Sequence, residues 1–215
     1  MDLTLIGEEL DDLVEGQHHL DHALAQGKGA VLALPHSGNF DMAGVWLVRH
    51  CGQFSTVAER LKPESLFNRF VEYRESLGFE VFALNGGQSA PFAALADKLR
   101  AGGVVCLLGE RDLTDRGVRV EFFGEPTRMP AGAAKLAMET GAVLLTVHCW
   151  FTRNGGWGFR IDPPVDTAEG IDTATQSIAH RFAANIAEHP QDWHVLQPLW
   201  WSDLSEARQA RLGQP

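Results

Sequence analysis

Apolar and polar positions alternate between two periods along this chain. Short apolar runs at 29–34, 54–58, 80–84, 104–108 and 142–151 are rich in strand formers and bounded by Gly, Pro or polar residues, which predicts buried strands. Between them apolar residues recur every three or four positions, which predicts helices over 8–26, 41–51, 63–77, 89–101, 130–140 and 172–188. The last is the most regular, with Ile171, Ala174, Ile178, Phe182 and Ile186 on one face. In the first, Leu10, Leu13, Val14 and Leu20 share a side. Pro63 suits a first helical turn, Gly78 ends that helix, Ser89 reads as an N-cap, and Gly102-Gly103 and Gly141 close two more. Residues 118–123 predict a strand leading into a turn at Gly124-Glu125-Pro126. Asn154-Gly155-Gly156 turns 142–151 back into 157–161. Strand and helix alternate through most of the chain, so the fold class is α/β: one domain, 1–215, with a largely parallel central sheet flanked by helices.

Composition narrows the picture. An apolar share of 45% over 215 residues supports one sizeable core. A net charge of −10 with no basic stripe argues against a nucleic-acid partner. Cys51, Cys106 and Cys149 are scattered with no Cys-x-x-Cys spacing, and read as buried thiols of a reducing cytoplasm. No apolar stretch is long enough to span a bilayer, and no signal peptide stands out, so a soluble or peripheral protein is expected. His18, His19 and His22 lack a completing ligand set and read as a solvated helix face rather than a metal site.

The candidate chemistry lies in Leu34-Pro35-His36-Ser37-Gly38-Asn39-Phe40-Asp41, at the predicted end of the strand 29–34 and the start of the helix 41–51. Open α/β sheets place their sites at such junctions. There a histidine can take a proton near neutral pH, and a nearby carboxylate can fix its tautomer. Spacing alone also fits a loop histidine that caps a helix. A second loop, Gly109-Glu110-Arg111-Asp112-Leu113, follows the strand 104–108. If the two strands are parallel neighbours, Glu110 approaches His36; otherwise it is a charged surface turn. Arg111, Arg116, Arg119 and Arg128 form a local basic group suited to phosphate, or a solvated charge run. Arg60, which follows a strand end, and Arg74, on a helix one turn before Leu77-Gly78, read either as site residues or as surface ion pairs.

His-Ser-Gly-Asn-Phe-Asp after an apolar strand resembles the His-x4-Asp/Glu motif of glycerolipid and lipid A acyltransferases. Leu-Pro-His-Ser-Gly-Asn-Phe-Asp-Met-Ala-Gly most resembles the phosphatidylinositol mannoside acyltransferases of actinobacteria. The same likeness runs through Glu59-Arg60-Leu61-Lys62-Pro63, Tyr73-Arg74-Glu75, Phe123-Gly124-Glu125-Pro126, Pro130-Ala131-Gly132 and His189-Pro190-Gln191-Asp192-Trp193. It implies transfer of a fatty acyl group, palmitoyl in the simplest case, from acyl-CoA to a mannose hydroxyl at the cytoplasmic face of the cell membrane. It implies His36 as general base, with Glu110 and Asp41 as orienting carboxylates. Arg60, Arg74, Arg111 and Arg128 are the implied substrate-binding side chains, with oxyanion donors among the backbone amides of Ser37 to Asn39. No metal or cofactor enters besides the acyl-CoA co-substrate. Met42, Val45 and Trp46 offer a lining for an acyl tunnel, although Val45 reads better as core. Trp200-Trp201, with Leu196 and Leu199, suits either a bilayer surface or packing on the domain. Members of the family begin with a further amino-terminal helical region that appears here shortened or missing. Alternatives are a related acyltransferase acting on a lipid A precursor or other glycerolipid, and a non-catalytic lipid-binding homologue. A serine hydrolase is disfavoured, because no Gly-x-Ser-x-Gly elbow occurs.

Overall fold

A computed structural model describes residues 14–84, 91–112 and 114–213. The start of the first predicted helix, the Ser89 cap and Leu113 lie outside the described residues. The described elements, in order, are β1 (Val14–Glu15), α1 (Gln17–Ala25), β2 (Ala30–Leu34), α2 (Phe40–Cys51), β3 (Ser55–Ala58), α3 (Glu64–Ser76), β4 (Glu80–Ala83), α4 (Pro91–Arg100) and β5 (Val104–Leu108). After these come β6 (Val118–Phe122), β7 (Glu125–Met129), α5 (Gly132–Thr140), β8 (Val143–Phe151), β9 (Trp157–Ile161) and α6 (Ile171–Glu188). Short 3-10 turns at Pro190–Asp192 and Trp201–Asp203 precede α7 (Glu206–Leu212).

One sheet of seven strands runs in the order β1-β9-β8-β2-β5-β3-β4. β8, β2, β5, β3 and β4 are parallel, and β9 turns antiparallel on β8. Strand parity divides the core in two, because successive side chains leave opposite faces. Val31 and Ala33 join Val105, Leu95, Leu99, Leu136 and Phe182 on the face covered by α4, α5 and α6. Ala30, Leu32 and Leu34 join Val104, Leu20, Trp46 and Leu47 on the face covered by α1 and α2. β5 stands between β2 and β3, with Leu34 opposite Leu108. The carboxyl ends of β2 and β5, and the loops that leave them, therefore lie side by side.

Two predicted elements differ. Val14 is not helical: Val14–Glu15 pairs parallel with β9, and Gly16 at φ 71 breaks the chain before α1 begins. Glu125 and Pro126 are not turn residues but open β7, antiparallel to β6. The turn lies one step earlier, at Phe123 and Gly124, both with positive φ (56 and 79), which is a two-residue hairpin. Pro126 is tolerated there because a two-stranded ribbon consists of edges.

Candidate active site

Pro35 ends β2, and the next residues form a tight loop before α2. Asn39 caps that helix, its side-chain oxygen accepting the Met42 N–H at 3.1 Å. Gly38 has φ 56, and a Cβ there would stand 2.5 Å from the Cys149 carbonyl, so only glycine lets the loop lie on β8. The loop is also held by residues that come much later in the sequence. The His36 carbonyl accepts the His194 N–H at 2.8 Å, and the Gly38 N–H donates to the Asp192 carbonyl at 2.9 Å. The buried Asp192 carboxylate accepts the Phe151 N–H at 2.9 Å, which fixes this clamp to β8. Nothing in the composition of 190–194 marked this role.

Glu110 leaves the end of β5 just after Gly109, whose N–H donates to the Leu34 carbonyl at 2.9 Å. The Glu110 side chain is 0% exposed. Its Oε1 accepts the His36 backbone N–H at 3.0 Å and faces His36 Nδ1 at 2.6 Å. The backbone N–H bond fixes that oxygen in front of the ring, so Nδ1 carries the proton and Nε2 presents its lone pair. Arg111 completes the cluster: its Nη2 stands 2.9 Å from His36 Nε2. With Nε2 clear of Arg111, the His36–Glu110 pair can accept a proton there and hold the resulting imidazolium against a buried carboxylate.

The other predicted site residues fall in different places. Asp41 is not an orienting partner of His36, since Glu110 already occupies Nδ1. The Asp41 carboxylate instead accepts from Arg74 Nε at 3.0 Å. Arg74 lies 5.8 Å above the Phe40 ring, and Phe40 in turn packs edge-on against His36. Arg60 forms an exposed ion pair with Glu64, the first residue of α3. Ser37 is fully buried, with its hydroxyl without a partner. The Ser37 and Gly38 amides are also spent, on the Pro35 and Asp192 carbonyls, so they are not the expected oxyanion donors. The opening amides of α2, at Phe40 and Asp41, have no intrahelical acceptor. Arg128 bonds the carbonyls of Gly117 and Leu212.

Phe40, Asp41 and Arg74, all partly exposed, line the mouth of a cavity between α2 and the sheet. Its wall is apolar, from Ala43, Gly44 and Leu47 on the helix and Leu32, Leu34 and Cys106 on the strands. Of the expected lining only Trp46 is present. Met42 and Val45 are packed in the core instead, and the small Ala43 and Gly44 leave the space open. Burial raises the thiols of Cys106 and Cys149, as it does that of Cys51, to about 11 for the last. They are inert under these conditions. Trp200 packs on the domain, stacking on Phe122 and donating Nε1–H to its carbonyl at 2.9 Å, while Leu196 is 90% exposed. Among the described residues no helix is long and apolar enough to cross a membrane.

Residues 4–202 match the bacterial lipid A biosynthesis acyltransferase family. The phosphatidylinositol mannoside acyltransferase of Mycobacterium tuberculosis (strain ATCC 25618 / H37Rv) is 62% identical over 208 residues, covering 96% of this chain and 66% of that protein. The protein of the same name from Mycolicibacterium smegmatis (strain ATCC 700084 / mc(2)155) is 63% identical over 214 residues, covering 99% of this chain and 69% of that protein. The chain thus spans about two thirds of the length of these curated relatives.

Proposed function

The chain belongs to the bacterial lipid A biosynthesis acyltransferase family, and from that premise we propose that it moves a long-chain fatty acyl group, palmitoyl in the simplest case, from acyl-CoA to a mannose hydroxyl of a phosphatidylinositol mannoside. The observation that carries this reading is the His36–Glu110 pair set beside an apolar cavity, with Phe40 touching the histidine ring and lining the cavity mouth. A base and an apolar slot in contact are what transfer of a fatty chain to a hydroxyl requires. The relatives' printed names support a phosphatidylinositol mannoside as the acceptor.

In this scheme His36 Nε2 takes the proton of the sugar hydroxyl as its oxygen attacks the thioester carbonyl carbon. The Glu110 carboxylate stabilises the imidazolium. The oxyanion meets the opening amides of α2. When the C–S bond breaks, the imidazolium returns its proton to the leaving sulfur, giving free CoA and the ester. The acyl chain occupies the cavity along α2, and Arg74, tied to Asp41, stands at its mouth. The scheme uses no metal or cofactor beyond the acyl donor, and it places the protein peripherally on the cytoplasmic face of the membrane.

The test is incubation of the purified protein with palmitoyl-CoA and a phosphatidylinositol mannoside, following thiol release and acylated lipid, beside His36→Ala. Acceptor-dependent transfer that the variant loses supports the reading. Equal turnover by the variant would remove His36 as the base. Transfer only to a lipid A precursor would replace the acceptor.

A further inference from the structure

A second, open pocket of about 320 Å³ lies between the β6–β7 hairpin and α7. Arg111, Arg119, Arg128, Arg208 and Arg211 line it, against the carboxylates of Asp112 and Asp115. That is a local excess of three positive charges in a protein whose net charge is −10. Both carboxylates are engaged. Asp112 accepts from the amides of Thr114 and Gly117. Asp115, held at φ 59, receives Arg208 and Arg211 together. The hairpin also sets Arg119 directly opposite Arg128 across an antiparallel pair. Like charges in that position repel, and no carboxylate pairs with either among the described residues. An anion between them would turn the repulsion into attraction.

Arg111 joins this pocket to the base. It lines the pocket, yet its Nη2 stands on His36 Nε2, and its Nε is buried without a partner. While that contact lasts, the Nε2 lone pair is occupied and cannot accept a substrate proton. We propose that the pocket binds a phosphate ester, and that filling it draws Arg111 off His36 Nε2 and so frees the base. This rests on the acyl-transfer reading for its purpose, not for its geometry. Guanidinium groups suit phosphate oxygens bidentately. Two sources share the chemistry: the phosphates of a CoA thioester and the phosphodiester of an inositol lipid.

Binding to the full chain is measured by calorimetry with two probes, free CoA and phosphatidylcholine vesicles carrying phosphatidylinositol. The variants are Arg119→Gln and Arg211→Gln, both on exposed side chains. Loss of one charge-assisted contact should weaken the bound probe by roughly tenfold or more in each. Weakening of CoA alone assigns the donor, and weakening of the vesicles alone the acceptor lipid. In a sample with 15N-labelled histidine, saturation with that probe should shift the His36 Nε2 resonance, and Arg111→Met should abolish the change. Affinity unaltered by both arginine variants overturns the proposal, and so does a His36 signal that the bound probe leaves in place. The readouts need no turnover. Absence of acyl transfer with these results intact would refute the functional reading and leave the pocket standing.

Discussion

His148 is the most exposed weakness of the fold to acid, although no part of it meets solvent. It is 0% exposed on β8, and neither ring nitrogen has a hydrogen-bond partner. It packs against Trp150 at 5.5 Å and His189 at 5.6 Å, which also stack on each other at 5.1 Å. Burial pushes its imidazole down to about 4, and Arg160 across the strand adds to the effect against a weaker opposing pull from Glu188 and Asp162. In the unfolded chain the value is about 6.5. Between these two values the unfolded state binds a proton that the folded state refuses. Stability from this group is therefore complete above about pH 6.5 and is lost as pH falls toward 4. From pH 7 to pH 5 the loss is about 1–2 kcal/mol after a discount for screening. His148→Phe keeps the ring stack, removes two unpartnered nitrogens and removes the titration. At pH 7 the variant should be as stable as the unmodified protein or more so. The assay is urea unfolding at both pH values. The unmodified midpoint should drop by about 0.5 M more than that of the variant. Parallel drops in the two proteins would refute the reasoning, since every other titrating group is shared.

Glu110→Gln keeps an oxygen for the His36 backbone N–H at 3.0 Å, so the tautomer survives while the charge is lost. The turnover number should fall about 10²–10³-fold with KM nearly unchanged, and a fall below about fivefold would remove the carboxylate from the mechanism. Ala43→Phe fills the cavity beside Gly44 and Leu47. It should shift donor preference from sixteen-carbon to shorter acyl chains by about tenfold in kcat/KM, about what a few lost methylene contacts are worth; a parallel loss for all chain lengths would mean the cavity is not the acyl slot. Asp192→Ala removes the buried carboxylate that accepts the Phe151 N–H, a charge-assisted bond. That should cost about 1–3 kcal/mol, a Tm lower by about 3–10 °C in calorimetry, and an unchanged Tm would show that the clamp does not bear on the fold.

The sheet was legible because its strands are short apolar runs buried on both faces, and the helices because their apolar residues keep a 3.6 period. The order of the strands was not legible. His-x4-Asp shows Asp41 beside His36 on paper, but β5, inserted between β2 and β3, brings up Glu110 from 74 residues away. Asp41 is left to Arg74. The face of α2 toward the sheet followed from spacing, but not which part of it stays unfilled. That depends on the small volumes of Ala43 and Gly44 and on what packs opposite them. Arg208 and Arg211 lie on a short polar helix with no apolar period to announce it, and only the folded chain carries them to Asp115.

The clamp behind His36 also sets a clock. The loop is shaped by bonds to residues 192 and 194, the latter 158 positions downstream. At roughly 5–20 residues per second on the ribosome, a growing chain holds its histidine for roughly 8–30 s before the residues that shape the loop exist. β2 and β5 can pair well before then, so scaffold precedes site. Translation products cut short ahead of residue 192 would accordingly lack the shaped loop, and His36 would reach its folded geometry only after residue 194 has been added.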